Sequence, residues 1–311
     1  MKTIMIAATG IESSISKNFV ETLKKNKIDY RIFFFTTKKK ISNNKNIKII
    51  TVKKYFSNIN NYKKIINKCN YFLHFSYQNS EKFAQQNNIT DLKINVIGLK
   101  NILNTCKTNK KLVFVFLSSV SLYKSSLRKI NEKSDLEILS FYNLHKLFCE
   151  KLINYFINFS KNKFIILRLS NVYGDTDDKK RDFFLNSCLN IIKNNDLRIF
   201  SHGKYLRDFL HLDDVSKAIL YIFRKNIRNK LEVYNLGYGK SYSINYLIKR
   251  IILNLKKRRI IYKGSIKFTK NKSQLINRNF STNASKFKKR FNWKPVISLD
   301  TGINKVISKI L

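Results

Sequence analysis

The chain predicts an α/β fold: a doubly wound parallel sheet with a smaller C-terminal substrate-binding lobe. Three observations carry that prediction. Short apolar runs at residues 3–8, 30–36, 47–52, 71–75, 111–119 and 164–169 alternate with amphipathic stretches of helical period, the pattern of strand–helix crossovers. The run 111–119, Lys-Leu-Val-Phe-Val-Phe-Leu-Ser-Ser, is continuously apolar, too short to span a membrane, and ends in hydroxyls, as a buried central strand does. The length of 311 residues is enough for one large domain or two modest ones, each with a real core.

Taken in order, residues 3–8 form a strand, Thr9-Gly10 opens a turn, and a helix over 13–25 puts Ile15, Phe19, Val20 and Leu23 on one side. The next strand, 30–36, runs into Thr36-Thr37-Lys38-Lys39-Lys40, with no carboxylate at its end. Strands at 47–52 and 71–75 follow, separated by a helix around 62–69; His74, alone on an apolar strand, is expected to be a satisfied core histidine. A helix over 90–107 leads into the strand 111–119. In the helical segment after it, Phe141, Leu144, Leu147, Phe148, Leu152, Ile153 and Phe156 recur at roughly i, i+3, i+4 spacing. The strand 164–169 closes a sheet domain drawn at residues 1–170. Residues 171–311 are expected to form mainly the smaller lobe, with parts near 205–236 returning to the sheet.

Composition excludes several classes of function. With 62 Lys+Arg against 19 Asp+Glu the formal charge is +43, which by itself suggests a polyanion partner. The lysines are spread through every segment, however, alongside heavy use of Asn, Ile, Phe and Tyr. That joint bias is the mark of an AT-rich coding pool, so nucleic-acid binding is expected to be nonspecific only. Cys69, Cys106, Cys149 and Cys188 are widely spaced, with no C-x-x-C pair and no Cys/His cluster, so neither a disulfide framework nor a metal site is expected. They fit buried thiols of a cytoplasmic protein. Residues 1–8 imitate a signal peptide, but the apolar core is too short and a helical pattern follows directly; no export and no membrane partner are expected.

The chemistry concentrates at Tyr142-Asn-Leu-His-Lys146. A phenol and an ammonium four residues apart share one helix face, and a cation beside a tyrosine favours the phenolate, making it a usable proton shuttle. Ser119 stands at a strand's carboxyl end, where open α/β sheets bind ligands. In a chain rich in Tyr and Lys, the Tyr-x-x-x-Lys spacing alone also fits a solvated helix face.

With Ser119, Tyr142 and Lys146 together, the chain resembles the extended short-chain dehydrogenase/reductase family, the NAD(P)-dependent epimerases, dehydratases and reductases of nucleotide sugars. Further segments match in the same order. Asn95-Val-Ile-Gly-Leu-Lys-Asn-Ile-Leu103 is similar to the family's Asn-Val-x-Gly-x-x-Asn-x-Leu, and Arg168-Leu-Ser-Asn-Val-Tyr-Gly174 to Arg-x-x-Asn-Val-Tyr-Gly. Arg207-Asp-Phe-Leu-His-Leu-Asp-Asp-Val215, Asn235-Leu-Gly-Tyr-Gly239 and Ser285-Lys-Phe-Lys-Lys-Arg-Phe-Asn-Trp-Lys-Pro295 continue the series.

The resemblance implies a Rossmann-like fold and assigns roles. Ser119, Tyr142 and Lys146 would be catalytic, with Ser119 also touching substrate. The family's Gly-x-x-Gly-x-x-Gly phosphate turn falls on Gly10, Ser13 and Ser16, whose hydroxyls could donate to phosphate. Thr37, Lys38 and Ser76, together with Tyr142 and Lys146, complete the cofactor set. The cofactor is NAD or NADP, with NADP preferred because lysines replace the usual ribose-binding acid. Asn171, Arg207 and Arg278 would hold the diphosphate of a nucleoside-diphosphate sugar, the expected small-molecule partner; for Arg207 the alternative is a structural pair with Asp208. Asn95 would hold the catalytic strand. Asp213 and Asp214 read as caps of a helix over 215–224, Gly237 and Gly239 as turn residues, Trp293 as packing, and a homodimer as the assembly. Family dehydratases carry Asp-Glu after the catalytic hydroxyl residue; this chain has Val120-Ser121, which leaves epimerisation or reduction. Two alternatives stay open: a catalytically impaired nucleotide-sugar-binding relative, and a basic nucleic-acid-binding protein.

Overall fold

The computed structural model describes residues 3–109, 111–174, 183–269 and 278–311. The chain divides into two compact units: residues 1–122, 138–168 and 219–234 form the first, and residues 123–137, 169–218 and 235–311 the second. The segment that returns to the first unit is thus 219–234 rather than 205–236, and 123–137 belongs to the second unit although it lies inside the stretch 1–170.

In the first unit, β1 (Ile4–Thr9), α1 (Ser14–Lys25), β2 (Tyr30–Thr36), β3 (Ile47–Thr51), α2 (Lys63–Ile66) and β4 (Tyr71–His74) come first. α3 (Glu81–Gln86), α4 (Asn88–Leu92), α5 (Gly98–Cys106) and β5 (Val113–Ser119) follow. A seven-stranded sheet takes the order β11 (Leu231–Leu236), β7 (Lys163–Leu169), β5, β4, β1, β2, β3. β1 pairs in parallel with both β2 and β4, which extends in parallel to β3 on one side and β5 on the other. The chain winds outward from β1 to β3 and then restarts beside β1 at β4. The carboxyl ends of β1 and β4 therefore flank a topological switch point, the place where such sheets take ligands. Phe35, Phe72, Phe114, Phe116, Phe164 and Ile166 fill the core, each buried from water.

Two expected helices differ in form. The helix expected near 62–69 shrinks to a 3₁₀ turn and the single turn of α2. That expected over 90–107 is interrupted by a π turn at Lys93–Ile97, which carries Asn95. Asn95 does not hold the catalytic strand: its side chain accepts from the Gln78 amide (2.8 Å) and donates to the Gln78 carbonyl (3.3 Å), pinning the loop after β4. All four cysteines are buried thiols.

The second unit begins with β6 (Lys129–Ile130); α6 (Phe141–Phe156) and most of β7 (Lys163–Leu169) return to the first. β8 (Asn171–Tyr173), α7 (Phe183–Ile192), β9 (Leu197–Phe200), β10 (Leu206–His211), α8 (Leu212–Phe223) and β11 (Leu231–Leu236) come next. The chain ends with β12 (Ser241–Ser243), α9 (Ile244–Lys256), β13 (Ile266–Thr269), β14 (Ser281–Thr282), α10 (Ser285–Phe291) and α11 (Leu299–Ile310). A small sheet, β12-β10-β8, packs with α7, α9 and α11 around Tyr173, Phe184, Phe209, Leu247, Ile251 and Ile303. Trp293 is buried edge-on against Phe287, as packing.

Asp213 and Asp214 lie within the first turn of α8 rather than ahead of it. Asp214 accepts from the amides of Val296 (3.1 Å) and Ile297 (3.0 Å), and Asp213 takes Lys305 at 2.5 Å, so both fasten the C-terminal segment. Asp208 is fully buried and receives the amides of Tyr238 and Gly239, each at 2.8 Å. That use of its carboxylate replaces the pairing with Arg207. A Cβ on Gly237 would lie 2.8 Å from the same carboxylate and 2.7 Å from Thr282, which explains the glycine in this turn.

Candidate active site

α6 carries the candidate residues Tyr142 and Lys146, and its buried face is more polar than the periodicity suggests. Asn143, His145, Lys146, Cys149, Glu150, Ile153 and Phe156 are buried, whereas Phe148 is 42% exposed. Polar groups can occupy this face because each charged one has a partner. Glu150 takes two hydrogen bonds from Arg168 (3.0 and 2.6 Å) and one from Ser118 (2.6 Å). His145 Nδ1 meets Asp91 of α4 at 2.6 Å. The Ser140 hydroxyl caps the helix by accepting from the Asn143 amide, which fixes where the first turn, and with it Tyr142, begins.

The Ser119 hydroxyl is near enough to Tyr142 to act on its titration. The Ser119 hydroxyl donates to Ser121 Oγ at 2.9 Å, and Asn143 Nδ2 donates to the same Ser121 oxygen at 2.9 Å. A polar chain Ser119–Ser121–Asn143 thereby locks the start of α6 to the end of β5. Ser121 and Asn143 escaped the sequence reading; a second hydroxyl two residues beyond Ser119 is the signal that could have found them.

The Lys146 side chain turns to β5 and to a second aromatic ring. Its Nζ donates to the Leu117 carbonyl at 2.6 Å and lies 3.3 Å from the centre of the Tyr77 ring. Burial raises the pKa of Tyr142, Glu81 and Asp91 reinforce the rise, and only the Ser119 hydroxyl opposes it. Lys146 itself is pushed down to about 7 by burial, against the pull of Cys149, Glu150 and Asp91.

That shift has a sign. An unfolded lysine titrates near pH 10.4, so between about 7 and about 10 the unfolded chain holds a proton that the folded chain has lost. Stability contributed by this group therefore rises with pH across that window, by up to about 1.4 kcal/mol per pH unit. Lys146→Met is expected to remove this slope. Urea unfolding free energies measured for both proteins from pH 7 to 10 check it; parallel pH dependences would refute the burial of a neutral amine.

At the switch point, Gly10 has φ +74°, and a Cβ there would lie 2.5 Å from the Ser76 backbone nitrogen. The Ser76 amide in turn donates to Thr9 Oγ1 at 3.2 Å, so Gly10 and Ser76 are adjacent through backbone contact. Thr9 Oγ1 also meets His74 Nδ1 at 2.9 Å, and burial pushes that imidazole down to about 3, a core histidine as expected. The Ser16 hydroxyl is not available to phosphate: buried, it donates to the carbonyls of Gly10 (2.7 Å) and Ser13 (2.8 Å), closing the turn from within. Ser13 sits at the N-cap position of α1 without a side-chain cap bond. Thr37 and Lys38 are exposed beyond β2. Lys40, two residues on, pairs with Glu12 of the glycine turn, an acid the sequence reading passed over.

In the second unit, Asn171 is exposed on β8, next to β10. Arg207 of β10 donates to the carbonyl of Arg278, and Arg278, itself buried, donates to that of Tyr123. Both guanidinium groups lie over the Phe280 ring, at 5.4 and 4.8 Å.

The NAD dependent epimerase/dehydratase family matches residues 6–237. A relative from Methanocaldococcus jannaschii, named "Putative UDP-glucose 4-epimerase", is 29% identical over 98% of this chain and 97% of its own length. Among solved structures, the UDP-glucose 4-epimerase of Thermotoga maritima, determined with UDP-glucose, superposes with a TM-score of 0.86 at 21% identity, covering 99% of this chain and 98% of that one. The dTDP-glucose 4,6-dehydratase of Bacillus anthracis in complex with NAD gives a TM-score of 0.82 at 22% identity, over 98% and 96% of the two chains. The match over most of the sheet and into β11 shows that this chain belongs to the NAD dependent epimerase/dehydratase family, within the extended short-chain dehydrogenases/reductases.

Proposed function

We propose that the protein is an epimerase or keto-sugar reductase of a nucleoside-diphosphate sugar, working by hydride transfer at Ser119, Tyr142 and Lys146. The observation that carries this reading is the Ser119–Ser121–Asn143 hydrogen-bond chain, which holds the hydroxyl at the carboxyl end of β5 against the first turn of α6, where Tyr142 stands. Ser119 would hydrogen-bond a sugar oxygen while Tyr142 removes a proton from it as a hydroxyl or returns one to it as a ketone. Lys146 would hold the cofactor ribose. A nicotinamide nucleotide, when bound, supplies hydride acceptance and donation. The residues present fit such a group: the first turn of α1 carries no acid, Ser13 leaves its hydroxyl outside the cap, and Gly10 takes a backbone conformation that favours glycine. Asn171, Arg207 and Arg278 would take the diphosphate.

For the cofactor, the reading is a preference for NADP(H), supported by exposed Lys38 and Lys39 beyond β2 and by the lack of a carboxylate there. Lys40 contributes less, being matched by Glu12. Lys38→Ala is expected to weaken NADP(H) several-fold and NAD(H) little; calorimetric titration decides, and tighter binding of NAD(H) by the unaltered protein would sink the preference.

Incubation with candidate nucleotide sugars, with and without NADPH, tests the reaction. Isomer formation without net NADPH use identifies an epimerase, and stoichiometric consumption a reductase. A second reading, a nucleotide-sugar-binding relative without turnover, is favoured by the raised Tyr142 pKa and by the consumed Ser16 hydroxyl. Sugar binding with no conversion under either condition would select it.

A further inference from the structure

We infer that Tyr77 is a side-chain cover on Lys146 that sets cofactor affinity, an assignment resting on the cofactor reading above. The Tyr77 ring lies across the ammonium, 3.3 Å from Nζ to the ring centre, and meets Tyr142 edge-on at 5.7 Å and 86°. One N–H of Lys146 goes to Leu117, and the buried amine lies against two rings, Tyr77 at 3.3 Å and Phe116 at 4.9 Å, so displacing the nearer Tyr77 ring opens it to another acceptor.

The backbone around Tyr77 is fixed, so the movement belongs to the side chain alone. Ser76 is held through its amide to Thr9, and Gln78 through two hydrogen bonds to Asn95. Nothing ties the tip of the ring. The Tyr77 hydroxyl is buried without a hydrogen-bond partner, so rotation breaks no hydrogen bond and relieves an unsatisfied polar group. The covered arrangement is therefore held by the ring–amine contact and packing, and balanced against a cost that the open one does not carry. A ligand that needs Lys146 pays for the population in which the ring is away, which lowers its apparent affinity by that fraction.

Three variants test this: Tyr77→Phe keeps the ring and removes the hydroxyl, Tyr77→Ala removes the cover, and Tyr77→Leu preserves bulk without an aromatic face should the alanine variant fail to fold. Calorimetric titration with NAD(H) and NADP(H) is expected to show binding on the order of tenfold tighter for Tyr77→Ala or Tyr77→Leu, and little change for Tyr77→Phe. Affinity equal to or weaker than that of the unaltered protein in both ring-removing variants overturns the inference. A second measurement is independent of the cofactor. The rate of amine acylation at Lys146, followed on its peptide by mass spectrometry, should rise when the ring is removed and not with Tyr77→Phe. If acylation rises while no nucleotide binds any variant, the cover stands and the cofactor reading fails; if acylation is unchanged, the cover itself is refuted.

Discussion

Tyr142→Phe is expected to lower turnover by about 10²- to 10⁴-fold, the usual contribution of a positioned acid/base, while fold and cofactor binding persist. Only the hydroxyl is lost, and the edge-on ring contact with Tyr77 is kept. The measurement is kcat on a converted nucleotide sugar, with binding followed separately by titration. Because Ser119 is the one group that opposes the rise in the Tyr142 pKa, Ser119→Ala should depress turnover as well, though by less. Activity within a few-fold of the unaltered protein for Tyr142→Phe would remove the phenol from the mechanism.

The largest loss of stability is expected from Glu150→Ala. Its carboxylate takes three hydrogen bonds from Arg168 and Ser118, and both charged side chains are nearly inaccessible, at 7% and 9%. Deleting the acid breaks a buried ion pair by removing one member, which typically costs about 3–5 kcal/mol. Replacing both members by well-packed apolar residues would cost far less, so the effect measures the broken pair rather than the net worth of the bridge. Urea unfolding reads it directly; a loss below about 1 kcal/mol would mean that the pair behaves as a surface ion pair. Arg168 opens the sequence segment similar to the family's Arg-x-x-Asn-Val-Tyr-Gly, and in the structure it serves the helix carrying Tyr142.

The strands were legible because a parallel sheet buries both faces and so reads as apolar runs: β2 begins and ends where the sequence placed it, and β1 and β5 differ by a residue or two. The face of α6 was not, because polar residues share its buried side while Phe141, Leu144, Leu147 and Leu152 are only half-buried and Phe148 is exposed, an arrangement that the partners Leu117, Asp91 and Arg168 make possible. Spacing located Tyr142 and Lys146 on one helix but could not say where a flexible ammonium ends. An aromatic from the loop after β4, sixty-nine residues earlier, decides that. For the same reason the Ser16 hydroxyl was misassigned: a short side chain at a helix start has carbonyls within reach, and local bonds outcompete an external ligand.

The central claim is that Tyr142 moves a proton in step with hydride transfer to or from a nucleotide sugar. A single-turnover mixture of protein, nicotinamide nucleotide and candidate nucleoside-diphosphate sugar, followed by the near-ultraviolet absorbance of the reduced nicotinamide, tests it most directly. The account predicts an absorbance change that requires the nucleotide portion of the sugar and is lost in Tyr142→Phe. Conversion of sugars that carry no nucleotide, or an undiminished change in Tyr142→Phe, would contradict it.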